Sequence, residues 1–185
     1  MICQSLRPIA ASFTLVAAVL GSLLVAPGPD GLLGAFLAAL MLTIAVIDSR
    51  RYIIPNELTG AAFALALLRA AFVGPEADGH AAMWAVLRAL AIALPFLALM
   101  AAYRYWRGRD GLGLGDIKLA AVAGAWLDLV TVFALIELAT LSALGAYVAS
   151  SYLRKRPLNA TAFFPFGLFL APAIWLGWLA EALLN

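Results

Sequence analysis

Cysteine is almost absent. Cys3 is the only one in 185 residues, which excludes an intrachain disulfide framework and a cysteine-based zinc site within the chain. Histidine is as scarce, and His80 alone brings no metal cluster, so no metal and no cofactor is expected. Charge is thin: 12% of residues are charged against 65% hydrophobic, and the net charge is +2 at pH 7. So small a balance, gathered in short basic clusters rather than a stripe, argues against a nucleic-acid partner. No internal repeat is visible.

What fills the chain is apolar side chain, at a mean hydropathy of +1.01. A soluble domain of this length could not cover that much apolar surface with polar groups. The solvent is therefore lipid, and the fold class expected is an all-α polytopic membrane bundle. Each pass needs about 17–25 apolar residues. Seven are legible, at roughly 9–26, 31–48, 57–73, 83–105, 116–127, 129–153 and 162–184. Between them stand "PGPD" (27–30), "SRRYIIPN" (49–56), "GPEADGH" (74–80), "RGRDGLGLG" (107–115) and "RKRPLN" (154–159).

The run from Ile117 to Leu153 is too long for one crossing of about 30 Å and short for two. "AWLDL" (125–129) is its polar interruption, and the hairpin is placed there. Basic residues arbitrate the count. Arg7, the pair Arg50 and Arg51, the trio Arg104, Arg107 and Arg109, and the cluster Arg154, Lys155 and Arg156 fall on alternate loops if there are seven passes. By the positive-inside rule the N-terminus is then cytoplasmic and the C-terminus outside. Residues 1–26 also have the look of a secretory signal, and a retained anchor is the reading adopted.

Asp48 ends the second pass and Asp116 begins the fifth, so this topology puts both acids at the cytoplasmic edge of the bilayer. An ionisable group there is costly unless paired, wet or functional. Two carboxylates brought within a few ångströms share a proton and titrate as a split pair. One can then act as general base on a water while the other, protonated, polarises a carbonyl. That is aspartyl peptide hydrolysis. In "GLGLGDIKLA" (111–120), Gly113 and Gly115 permit unusual backbone angles and remove Cβ atoms beside Asp116, letting an extended substrate strand approach. Taken alone, Asp116 is a helix cap and Asp48 an interfacial acid paired with Arg50 or Arg51. Their convergence on one membrane face carries the functional reading.

These segments resemble a known family. "GLGD" followed by "IK" (113–118) resembles the glycine-x-glycine-Asp-x-Lys signature of the type IV prepilin peptidases, the GxGD membrane aspartyl proteases. "DSRRYIIPN" (48–56) resembles their first-aspartate segment, and "FPFGLFLAPA" (164–173) their late Pro-Phe-Gly motif, with Leu168 where many relatives have proline. The resemblance implies an endopeptidase that removes the basic leader of prepilins or pseudopilins after a glycine, with Asp48 and Asp116 catalytic. It implies an inner-membrane protein with its site at the cytoplasmic face. Bifunctional members also carry a cytoplasmic insertion with paired cysteines and N-methylate the product. Without those cysteines, cleavage without methylation is expected, as in the short peptidases of tight-adherence (Flp) pilus systems. Residues 1–185 are read as one domain, 1–30 an additional anchor and 31–185 the protease core.

The supporting residues each have a plainer reading. Lys118 either contacts substrate or lipid phosphate or snorkels to the interface. Pro55 and Asn56 form a turn and cap for the third pass. Pro165 and Gly167, with Phe166 between them, unwind or kink the seventh. Glu137 is a rival acid inside the sixth pass, expected to form a buried ion pair toward the outer leaflet with Arg69 or Arg88. Prepilin substrate and membrane lipid are the expected partners. Rival functions are an intramembrane aspartyl protease of the presenilin kind, a proton-coupled carrier and a non-catalytic assembly protein. The presenilin kind has a Pro-Ala-Leu motif that is absent here.

Overall fold

The computed structural model describes residues 2–73, 79–108, 111, 113–153, 155 and 165–184. Arg109, Arg154, Arg156, most of the expected loops at 74–80 and 154–159, and the expected start of the last pass at 162 lie outside the described residues. Among the described residues there are seven helices and no strand: α1 (Ile2–Val25), α2 (Pro29–Arg51), α3 (Asn56–Phe72), α4 (Gly79–Arg107), α5 (Leu114–Trp126), α6 (Leu129–Leu153) and α7 (Gly167–Leu184). The all-α bundle is as expected from the apolar runs.

The breaks follow local chemistry. Gly28 has φ 103 and ψ −154, a region that only glycine enters freely, and Pro29 then opens α2 with Asp30 in its first turn. At the other end of α2, Arg50 and Arg51 complement the negative pole of the helix. Leu127 is extended, with φ −123 and ψ 162, and it separates α5 from α6 where "AWLDL" predicted the hairpin. The Asp128 amide then donates to Glu181 at 2.9 Å, tying that hairpin to the end of α7.

Four helices are long and apolar enough to cross a bilayer: α2, residues His80–Arg107 of α4, α6 and α7. The chain is therefore a multi-pass membrane protein. α5 has 13 residues and α3 has 17, giving rises of about 20 and 26 Å. α5 can be this short because it lies inside the bundle. Its residues from Ile117 to Trp126 are buried except Lys118 and Ala121, and it packs on α3, α4 and α7. On its outer side Gly124 lets the α4 backbone come close, and Arg88 donates to the Gly124 carbonyl at 3.3 Å. α1 lies against α2 and α7, where Trp175 donates to Ser22 at 3.0 Å.

One end of the bundle is closed by a polar knot. Arg69, in the last turn of α3, donates to both carboxylate oxygens of Asp30 at 2.6 and 3.3 Å. It also donates to the Trp126 carbonyl at 3.3 Å, and its guanidinium lies 5.7 Å over the Trp126 ring. The Trp126 indole in turn donates to the Ala62 carbonyl at 2.9 Å. The pair thus joins the start of α2, the end of α3 and the end of α5, and each charge favours the helix pole beside it. This corrects the expected pairing: the acid that holds Arg69 is Asp30, while Glu137 is exposed on α6.

Arg69→Leu leaves Asp30 half-buried without its bidentate donor. A loss of about 1–3 kcal/mol is expected, discounted from a fully buried pair because both side chains stay partly exposed. Thermal unfolding in detergent checks it, with Arg69→Lys falling between, since lysine keeps the charge and loses the fork.

Candidate active site

The opposite end of the bundle gathers the two acids. Asp48 stands in the last turn of α2 and is buried. The helix stops one turn later at Tyr52, a left-handed cap with φ 55 and ψ 35, whose amide donates to the Asp48 carbonyl at 2.9 Å. A non-glycine residue held there stores about 1–3 kcal/mol of strain, so the turn is fixed by its surroundings. Its effect is to send Ile53, Ile54 and Pro55 sharply back, and Ile54 comes to rest between the starts of α5 and α7.

The Asp48 carboxylate faces the N-terminus of α7. Its Oδ2 accepts the Leu168 amide at 3.0 Å, and the Gly167 amide donates to the same carboxylate. A helix start leaves such N–H groups without partners and carries a partial positive charge, so an anion from another helix satisfies both needs. Gly167 is required by closeness alone: a Cβ there would lie 3.0 Å from Asp48 Oδ2 and 2.9 Å from Ile54 Cδ1. Phe166, just ahead, packs on the core, and its carbonyl accepts the amides of Phe169 and Leu170 at 3.0 Å. Among the described residues Asp48 forms no ion pair with Arg50 or Arg51, contrary to the plainer expectation. The unwinding or kink expected at Pro165 and Gly167 takes the form of a helix start. Pro165 precedes α7, Gly167 is its first residue, and the proline inside the helix is Pro172.

Asp116 reaches the same place from α5. Gly113 is the N-cap, with no side chain to serve the helix start, and Asp116 three residues on accepts the Gly113 amide. This is the reciprocal half of a capping box, and it fixes where the carboxylate points. Asp116 is therefore the third helical residue rather than the cap. The role expected of the glycines also changes. Gly113 has φ −76 and ψ 136, open to any residue, so no special angle is needed there. Gly115 provides space, since a Cβ on it would lie 3.0 Å from the Ile54 Cβ. Ile54 is thus a wedge against both Gly115 and Gly167, joining three segments that are remote in sequence. The charge on Asp48 is felt at Asp116. The two acids stand at the meeting of α2, α5 and α7, around Ile54, which lies against Gly115 next to Asp116 and against Gly167 beside Asp48.

Lys118 lies on the far side of α5 from Asp116. Its ammonium donates to the Asn56 side chain at 2.7 Å. Asn56 therefore makes no side-chain cap on α3; Pro55 occupies the cap position, and the Thr59 hydroxyl bonds the Pro55 and Asn56 carbonyls at 3.3 and 3.1 Å. Lys118 and Asn56 stand at the mouth of an open groove of about 360 Å³ between α3 and α5, floored by Gly60, Phe63 and Ala121. Lys118→Met removes this bond between two exposed residues, for which about 0.5–1.5 kcal/mol is expected. A thermal melt in detergent checks it.

Sequence reasoning expected Asp48 and Asp116 to converge on one membrane face, and both stand at the end of the bundle where α2, α5 and α7 meet. It missed Ile54 and the α7 amides. The available signal was a glycine following Pro-Phe at the head of an apolar run, which marks a helix start as readily as a kink.

Residues 35–150 match the type IV leader peptidase family. Over 155 residues the chain is 32% identical to the prepilin leader peptidase/N-methyltransferase of Escherichia coli (strain K12), covering 76% of this chain and 60% of that protein. Over 184 residues it is 29% identical to the protein of the same name from Aeromonas hydrophila, covering 96% of this chain and 60% of the relative. Over 112 residues it is 37% identical to the Klebsiella pneumoniae protein, covering 59% and 46%. The chain thus spans at most about 60% of the length of these curated relatives. No solved structure matches it. With the family match extending from α2 nearly to the end of α6, the chain belongs to the type IV leader peptidase family.

Proposed function

We propose that this chain is an aspartic endopeptidase that removes the leader of type IV prepilins or pseudopilins after a glycine at the cytoplasmic face of the inner membrane. The observation that supports the reading is that α2, α5 and α7 meet around Ile54 with Asp48 and Asp116 beside it, at one end of an apolar bundle. The family membership supports the reaction class, and the names of the relatives supply the substrate class.

In this mechanism Asp48, which already accepts two amide N–H bonds, is the carboxylate that takes a proton from the attacking water. Asp116, fixed by the Gly113 amide, is the protonated partner that polarises the scissile carbonyl. The water oxygen bonds to the carbonyl carbon; the C–N bond then breaks, and the leaving amine takes the proton held by Asp48. Neither a metal nor a covalent intermediate enters these steps. We place the N-terminus in the cytoplasm and the C-terminus outside, from the alternation of the basic loops. The whole chain is read as one domain, with α1 as its additional anchor. Methylation is not part of the proposed activity, because the cysteine pairs that accompany it in the bifunctional members are absent from this sequence.

The test is reconstitution of the purified chain in liposomes with a prepilin carrying a basic leader, a glycine and an apolar helix. Release of the leader at that glycine supports the proposal. Proton flux with no cut in any such substrate would instead favour the carrier.

A further inference from the structure

α6 is the most loosely held of the long helices at the bundle's edge: it packs along α7 and lightly on the end of α5. Val132, Leu135, Ala139 and Ala143 are the buried side. The other side carries Val130, Ala134, Glu137, Leu141, Leu144 and Val148, all exposed. Their spacing alternates four and three residues, the repeat by which two helices lock side chains along a seam. Such left-handed crossings are common between membrane helices as well.

Glu137 breaks the apolar run of that seam. It lies eight residues into α6, about 12 Å along the axis and well inside the hydrocarbon. Among the described residues it is the one exposed ionisable side chain within a candidate span and away from its ends. A carboxyl group facing lipid has no hydrogen-bond partner there, a cost that membrane proteins relieve by pairing the group. A single polar residue in an apolar seam also sets register and partner number.

We propose that α6 is the contact helix of a parallel dimer of this chain, with Glu137 at its centre. A two-fold axis along the membrane normal sets each seam residue opposite its counterpart in the second copy. The two Glu137 side chains then form a hydrogen-bonded carboxyl pair, flanked by Leu141 and Leu144 on one side and Val130 and Ala134 on the other. A second copy meets the need at the right depth without any other protein, because the seam is complementary to itself. This rests on the α6 face alone and is independent of the peptidase reading.

The test uses membrane vesicles holding the full chain with Cys3→Ser, so that introduced cysteines are the only ones. Oxidation should link Leu144→Cys and Val148→Cys copies into dimers at least tenfold more than Ala146→Cys, which is exposed but points half a turn away. Energy transfer between donor- and acceptor-labelled copies should weaken at least tenfold with Glu137→Leu and persist with Glu137→Gln, whose amide can still pair. The proposal is overturned by equal linking at all three positions, or by none. A Glu137→Leu chain that associates like the parent also overturns it. So does a monomeric chain whose α6 cysteines link to a different protein.

Discussion

Replacing either acid by its amide, Asp48→Asn or Asp116→Asn, is expected to lower leader cleavage by at least about a hundredfold. General acid–base groups contribute about 10²–10⁴ in rate, and each substitution removes one half of the pair. The two variants should nevertheless differ in stability. The Asp48 carboxylate satisfies the amides of Gly167 and Leu168 at the head of α7, and an Asn amide nitrogen would meet those donors badly. A loss of about 1 kcal/mol is expected for Asp48→Asn, the usual scale for losing a helix cap. The Asn oxygen of Asp116→Asn can still accept the Gly113 amide, so its unfolding should stay close to the parent. Rates from a liposome assay and a thermal melt, taken together, separate loss of chemistry from loss of fold. A surviving cut in either variant would remove that acid from the mechanism.

Gly167→Val is expected to have the second largest effect, although Gly167 carries no reactive group. Its added carbon atoms would enter the space already held by Asp48 Oδ2 and Ile54 Cδ1 at about 3 Å. The backbone at the head of α7 is anchored by the Phe166 carbonyl bonds, so the Asp48 carboxylate must give way. A displacement of about 1 Å at a reacting group can lower a rate about a hundredfold. The loss should appear in kcat more than in KM, because the displaced group acts on the water rather than on the substrate helix. Gly167→Ala should fall between, and Ile54→Val combined with Gly167→Ala should recover part of the rate by freeing the Cδ1 position. A Gly167→Val chain that cuts like the parent would mean that the α7 amides do not position Asp48.

Much of this was legible before any coordinates. Apolar runs and basic loops give the helix count, because lipid leaves the backbone few other choices. Glycine after proline at 27–28 and the polar break at 125–129 mark turns by chemistry that acts locally. The expectation that Asp48 and Asp116 converge came from topology, since each stands at a pass end next to a basic loop. Pairings that depend on contacts between helices were not readable. Nothing local to Arg69 says that Asp30, rather than Glu137, is within reach of its guanidinium. Nothing in "DSRRYIIPN" reveals that Ile54 folds back against two glycines far along the chain, because the cause is the left-handed turn at Tyr52. Gly167 was read as unwinding or kinking the last pass because a glycine at a helix start and one inside a helix look alike without the position of the boundary. Two of those misses concern the same device, the amides of α7 closing on an acid from α2.

The most direct test of the central claim is a cross-link between the two acid positions. In a Cys3→Ser chain, cysteines placed by Asp48→Cys and Asp116→Cys are treated in membranes with a short bis-methanethiosulfonate. One intramolecular link, closing a loop that shifts the chain's mobility and joins the peptides of α2 and α5, is the result predicted. Two thiols that each take up the reagent singly yet never join would place the acids in separate sites and contradict the account.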